Sequence, residues 1–144
     1  MATRLSARSP WAAAGGETLV QATYALGAVA LAGEAVVHVQ QFFDFYHGVP
    51  WIGPLFLANA VACLVVIAGL AYARTRELAA VAGVVTSVVA LGSLIVSYGN
   101  GLFGWQEVGF ATAIERVLIF EVAAVILLSA ALAAPAVLRR HVAD

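Results

Sequence analysis

The sequence predicts an all-α protein: an antiparallel bundle of four transmembrane helices with both ends in the cytoplasm (N-in/C-in). Three observations carry this expectation. Of 144 residues, 63% are hydrophobic and only 10% charged, and the mean hydropathy is +0.98. A soluble domain carries about 25% charged residues to keep its surface hydrated, so most of this surface must face lipid. Four apolar runs nearly exhaust the chain, each close to the ~20 residues that cross a hydrocarbon core. Finally, six of the seven positive charges fall on one side of a four-span arrangement: Arg4 and Arg8 before the first run, Arg74 and Arg76 between the second and third, Arg139 and Arg140 after the fourth. The positive-inside rule makes that side cytoplasmic, and three or five spans would break the agreement. No segment alternates with a period of two, which argues against a β-barrel.

Residues 1–16 read as a mobile cytosolic tail, with Arg4, Arg8 and Pro10 but no apolar core of a cleavable signal peptide. The membrane domain is expected over 17–138, with spans at about 19–43, 54–72, 78–98 and 113–137, and residues 139–144 form a second cytosolic tail. Gly48 is placed to close the first helix as a C-cap. The second starts at Gly53-Pro54, where proline suits a first turn. Thr75 is a candidate N-cap for the third, which the "GNG" at 99–101 stops. Thr112-Ala113-Ile114-Glu115 fits a capping box for the fourth.

Aromatic residues gather at the opposite boundary from the arginines, among them Phe42, Phe43, Tyr46, Trp51, Tyr98 and Trp105, as expected of rings at headgroup level. The two glycine- and aromatic-rich loops there are expected to fold down on the bundle. Gly27, Gly33, Gly69, Gly83, Ser87 and Gly92 would let helix backbones approach closely, the source of packing energy between membrane helices. Cys63 is the only cysteine, which excludes an internal disulfide, a Cys-x-x-Cys pair and a thiolate zinc site. A net charge of −1 argues against a nucleic-acid partner. The partner implied is the bilayer, and the small size of a four-helix unit allows a homodimer or larger membrane complex.

Ionisable residues inside spans are costly and need a reason. Glu34, His38 and Gln41 recur at i, i+4 and i+7, which stacks them on one helix face. At 1.5 Å per residue, Glu34 lies roughly 22 Å from the inner boundary and Glu121, on the fourth span, about 25 Å. Asn59, Ser93 and Ser97 also fall in the outer half, and Arg116 near the outer end of span four. Glu34, His38, Glu121, Asn59 and Arg116 are therefore the candidate ligand or ion residues, and Glu34, His38 and Glu121 the metal ligands if a metal binds. Three readings compete: a satisfied polar network that fixes helix register, a ligand or ion site, and a proton relay through Glu34 or Glu121. His38 has the further alternative of snorkelling to the interface. Arg116 is expected to neutralise Glu121 or Glu115, while Asp44, His47 and Glu107 read as solvated loop residues. Haem between two histidines is not expected, because His47 falls in a loop and His141 in the tail.

The stretch "GEAVVHVQQFFDFYHGVPWIGPLFLANAVACLVVIAGL", about a quarter of the chain, resembles the small four-span integral membrane proteins of actinobacteria that carry no assigned activity. His38 and "IGPLFLANA" carry the resemblance, which implies no mechanism. In hydropathy alone the chain is also similar to DoxX-like proteins. Small multidrug transporters share four spans and a glutamate in the first, but this chain is longer and adds His38 and Glu121. The quinone-linked disulfide oxidases need cysteine pairs that are absent here. The lack of lysine and abundance of alanine suit a GC-rich bacterial genome, and the location implied is the plasma (inner) membrane. No catalytic motif stands out and no cofactor is expected on motif grounds. The first functional expectation is thus an accessory or assembly membrane protein, and the alternatives are a small transporter or ion-binding protein using Glu34, His38 and Glu121, or a metal- or quinone-binding redox subunit.

Overall fold

The computed structural model describes residues 10–108 and 112–143, with the side chains of 15–108 and 114–134. Four helices account for nearly all of it: α1 (Pro10–Gln41), α2 (Ile52–Ala71), α3 (Arg76–Gly99) and α4 (Thr112–Ala143), with a π-helical segment, Phe42–Tyr46, running on from α1. All four are long and apolar enough to cross a membrane. Helices suit that solvent because every backbone N–H and C=O is satisfied within the segment. Each helix packs on two neighbours, α1 on α2 and α4, α3 on α2 and α4, so the four close a ring. One end of the bundle, the arginine end, holds the Arg74–Arg76 turn; the other, the aromatic end, holds the loops rich in aromatic residues. α1 begins at Pro10 and α4 runs to Ala143, so both continue past the expected spans and into the segments read as tails.

The two halves of the bundle are packed differently. Towards the arginine end the core is small and apolar: Leu31, Cys63, Val66, Leu70, Ala80, Ala124 and Leu128 are buried together. Leu128 is the knob of this half. A Cβ added at Gly27 would lie 2.5 Å from one of its methyls, and one at Gly83 would lie 2.6 Å from the other, so a side chain at either position would displace Leu128 from its seat between α1 and α3. Gly33 faces the ring of Phe120 and Gly69 faces Ala79 in the same way, but Gly92 has open space around it and contributes no close approach.

Helix ends follow local chemistry that differs in places from expectation. Thr75 does precede α3, but its hydroxyl turns back to donate to Gly69 O at 2.7 Å and Tyr72 O at 3.3 Å. It therefore caps the carbonyls ending α2 rather than the amides starting α3. Arg76 reinforces the turn, donating from Nε to Leu70 O and from Nη1 to Gln21 across on α1, with its guanidinium 5.8 Å from the Tyr24 ring centre. Gly48 does not take the left-handed conformation; Trp51, just before α2, takes φ 66° instead. Pro54 sits in the first turn of α2 as expected. α3 ends at Gly99, and Gly101 turns the chain with φ 78°. Glu115 is exposed in the first turn of α4; the Thr112 hydroxyl of the expected capping box lies outside the described side chains.

The π-helical segment decides which ring enters the aromatic half of the bundle. An α-helix returns to the same face after four residues, so a continued α1 would present Phe45 inward after Gln41. The wider π turn takes five. Tyr46 is accordingly buried while Phe43 and Phe45 are 66% and 61% exposed.

Candidate functional site

Glu34, His38 and Glu121 meet in the aromatic half of the bundle. One ligand-capable atom from each lies within 4.8 Å of the others, and all three residues are buried. Glu34 and His38 are one turn apart on α1, which is why the i, i+4 spacing makes them neighbours; α4 brings Glu121 to the same level. Asn59 from α2 and Ser87 from α3 complete the ring, so every helix contributes.

The hydrogen bonds divide these groups into held and unheld atoms. Glu34 Oε1 accepts from Asn59 Nδ2 at 2.9 Å, and Oε2 accepts from Ser87 Oγ at 2.7 Å. Both oxygens are thereby aimed. His38 Nδ1 lies 2.9 Å from the backbone carbonyl of Glu34. A carbonyl only accepts, so Nδ1 carries a proton and donates; in the neutral ring Nε2 then presents its lone pair on the other side. Nε2 faces Glu121 Oε1 at 3.8 Å, too far for a hydrogen bond. Glu121 Oε2 is buried with no hydrogen-bond partner. Buried polar atoms are satisfied in the great majority of cases, which makes this oxygen the exception that requires a cause. Glu121 is 1% exposed, and among the described residues no arginine approaches it. Arg116, expected to neutralise it, is exposed; five residues along a helix place the two about 140° apart.

A cavity of about 390 Å3 runs from this cluster towards the aromatic end, with His38 and Glu121 on its wall. Its outer end is covered by a latch. Tyr46 Oη donates to Glu107 Oε2 at 2.7 Å and Trp105 Nε1 donates to the same oxygen at 3.2 Å. Tyr46 also stacks on Phe56 at 4.4 Å and meets Trp105 edge-on at 5.9 Å. The loop is held in place by Glu107 N donating to Ser97 O and by a pair of backbone bonds between Leu102 and Trp105. The aromatic loop thus folds down on the bundle as expected, but Glu107 is a latch residue rather than a solvated one. Asp44 and His47 are exposed.

Sequence points to Glu34, His38, Gln41, Asn59 and Glu121, and the structure buries Glu34, His38, Gln41 and Glu121 and bonds Asn59 to Glu34. His38 is 6% exposed and does not reach for the interface. Ser87 is marked in the sequence only as a small packing residue; its position four after Gly83, on the same helix face, is the available signal. Ser93, which depth along the helix favours instead, donates to Val89 O in its own helix. Tyr46 and Glu107 have no sequence signal, because the π segment that turns Tyr46 inward has none.

Two carboxylates and an imidazole nitrogen form a donor set for a hard or borderline divalent cation. Two ligands each about 2.1 Å from one ion lie about 3.0–4.2 Å apart. The His38–Glu121 separation of 3.8 Å falls in that window, and the ligand atoms of all three residues lie within 4.8 Å of one another. Comparison with known proteins brings nothing further: no family model, curated protein or solved structure matches this chain.

Proposed function

We propose that this multi-pass membrane protein binds a divalent cation through Glu34, His38 and Glu121. The single observation that carries the reading is the orphaned oxygen of Glu121, buried in a cluster where a second carboxylate and a lone-pair nitrogen point at the same space. A network serving only to fix helix register accounts for Glu34, whose oxygens are both satisfied, and leaves Glu121 unexplained. Two buried carboxylates without a compensating charge cost several kcal/mol; a divalent ion offsets both. The surrounding bonds have the form of a support shell: Nδ1 of the histidine donates to a backbone carbonyl, which raises the basicity of the other ring nitrogen, and the first carboxylate accepts from an amide and a hydroxyl, which fixes its orientation. Three protein ligands would leave further coordination positions, and two of the three, His38 and Glu121, line the cavity. The arginine distribution supports an orientation with the arginine end in the cytoplasm, and with it a site in the outer half of the plasma membrane.

The test is metal analysis of the full chain in detergent after dialysis against Mn2+, Zn2+ or Fe2+. One ion per chain is expected, with a loss of at least about a hundredfold in affinity for Glu121→Gln and for His38→Gln, and little change for Glu107→Gln. No bound ion, or equal binding by wild type and both cluster variants, refutes the proposal.

A further inference from the structure

We propose that the cavity between α2 and α3 receives a membrane-dissolved ring compound of the quinone or quinol class, with one ring oxygen meeting the ion held by Glu34, His38 and Glu121. The inference rests on the cation reading for the contact at its floor, and on independent features for everything else. The first is access. Leu55 on α2 and Val85 and Val89 on α3 line the cavity, yet they are 46%, 55% and 61% exposed. They therefore stand at an opening that faces hydrocarbon, while the Tyr46–Trp105–Glu107 latch covers the end towards water. What enters sideways is dissolved in the bilayer.

The second feature is shape. Phe56 lies 5.1 Å from the His38 ring and 4.4 Å from the Tyr46 ring, so aromatic faces lead from the cluster to the latch. Behind Val85 and Val89 at the opening, α3 contributes Thr86, Ala90 and Ser93 to the same space, small side chains that leave room between the helices. A space bounded by aromatic rings from α1, the π segment and α2 and by these small side chains of α3 suits a flat ring, which gains offset or edge-on contact with its neighbours. The volume, about 390 Å3, lies in the ~300–1,000 Å3 range of pockets that enclose small organic ligands.

The third feature is charge. Among the described residues no Arg or Lys lines the cavity, whereas Glu107 and Glu121 do, which disfavours a phosphorylated lipid headgroup. With the cluster neutralised by its ion, the floor offers open coordination positions for a carbonyl or phenolic oxygen. The remaining polar groups at the wall, Gln41 and Asn59 among them, suit the oxygens and not the chain of such a molecule.

Trp105 lines the cavity and becomes the only tryptophan in a Trp11→Phe, Trp51→Phe protein. Titrating that full chain in detergent with a short-chain benzoquinone and its quinol should give saturable quenching of Trp105 fluorescence. Ala90→Phe, which fills the slot, should weaken binding at least about tenfold without changing the metal content. Phe56→Leu, milder and less disruptive to folding, should weaken it about two- to tenfold. Linear, unsaturable quenching in protein that holds its ion overturns this inference and leaves the cation site standing. So does quenching that is identical in a metal-loaded Ala90→Phe protein. Saturable quenching by a hydrophobic ammonium that expels the ion, with none by the quinone or quinol, also overturns it. Absence of bound metal refutes the cation reading instead, and takes the proposed floor contact with it.

Discussion

Ser87→Ala separates a built site from an accidental one. The Ser87 hydroxyl donates to Glu34 Oε2 at 2.7 Å, and both residues are 0% exposed. Removing it leaves that oxygen with no donor from α3, while Asn59 continues to hold the other. Hydrogen bonds between membrane helices average about 0.6 kcal/mol and reach about 1.7. This one has an ionisable acceptor and no access to water, so the upper part of the range applies, about 1.5 kcal/mol. For a chain of this size that corresponds to a fall of roughly 3–6 °C in apparent melting temperature. Supporting residues of metal ligands typically contribute 10- to 100-fold in affinity, about 1.4–2.8 kcal/mol at 1.4 per tenfold, so the metal affinity should fall by at least about tenfold. Cys63 supplies the stability assay: it is the only cysteine and is 0% exposed, so a fluorogenic maleimide reacts only as the bundle opens. Ser93→Ala, whose hydroxyl bonds only within its own helix, serves as the control and should change neither readout. A Ser87→Ala protein that keeps its melting temperature within about 1 °C and its metal affinity within about twofold would show that Ser87 does not position Glu34, and the case for a support shell would fail.

Two further outcomes test the frame around the site. Leu128→Ala removes the knob seated between Gly27 and Gly83 and should cost about 2–5 kcal/mol, read as a lower temperature for Cys63 labelling; an unchanged temperature would mean that the apolar half does not hold the bundle together. In a Cys63→Ser background, single cysteines at positions 3 and 142 should both resist an impermeant maleimide until the cells are opened. Labelling of either in intact cells contradicts the cytoplasmic placement of the ends.

The site is legible in the sequence to different depths. Glu34, His38, Asn59 and Glu121 stand out because hydrocarbon penalises polar groups at every position that faces it. Counting residues from each helix end then puts them at one level, which needs only the helical rise. Partner choice is not legible by that route. Ser87 and Ser93 are the same residue type on the same helix, and six residues of rotation decide that the first reaches Glu34 and the second its own carbonyl. Arg116 is near Glu121 in sequence and depth but turned away around the helix. Glu107 reads as solvated because the loop before α4 carries no periodicity to show where it lands.

By itself the sequence determined the four helices, their antiparallel order and the shared depth of the ionisable groups in one half of the bundle. Lipid admits only internally bonded helices or closed barrels, the pattern without period-two alternation leaves the helices, and arginine and carboxylate positions answer to the same solvent. Only the tertiary structure decided which atoms are satisfied. The π turn that brings Tyr46 in place of Phe45, the latch on Glu107 and the unpartnered oxygen of Glu121 depend on rotations of a few tens of degrees and on contacts between residues as far apart as 46 and 107. Hydropathy is blind to both, because it records what a residue avoids and not which neighbour it meets.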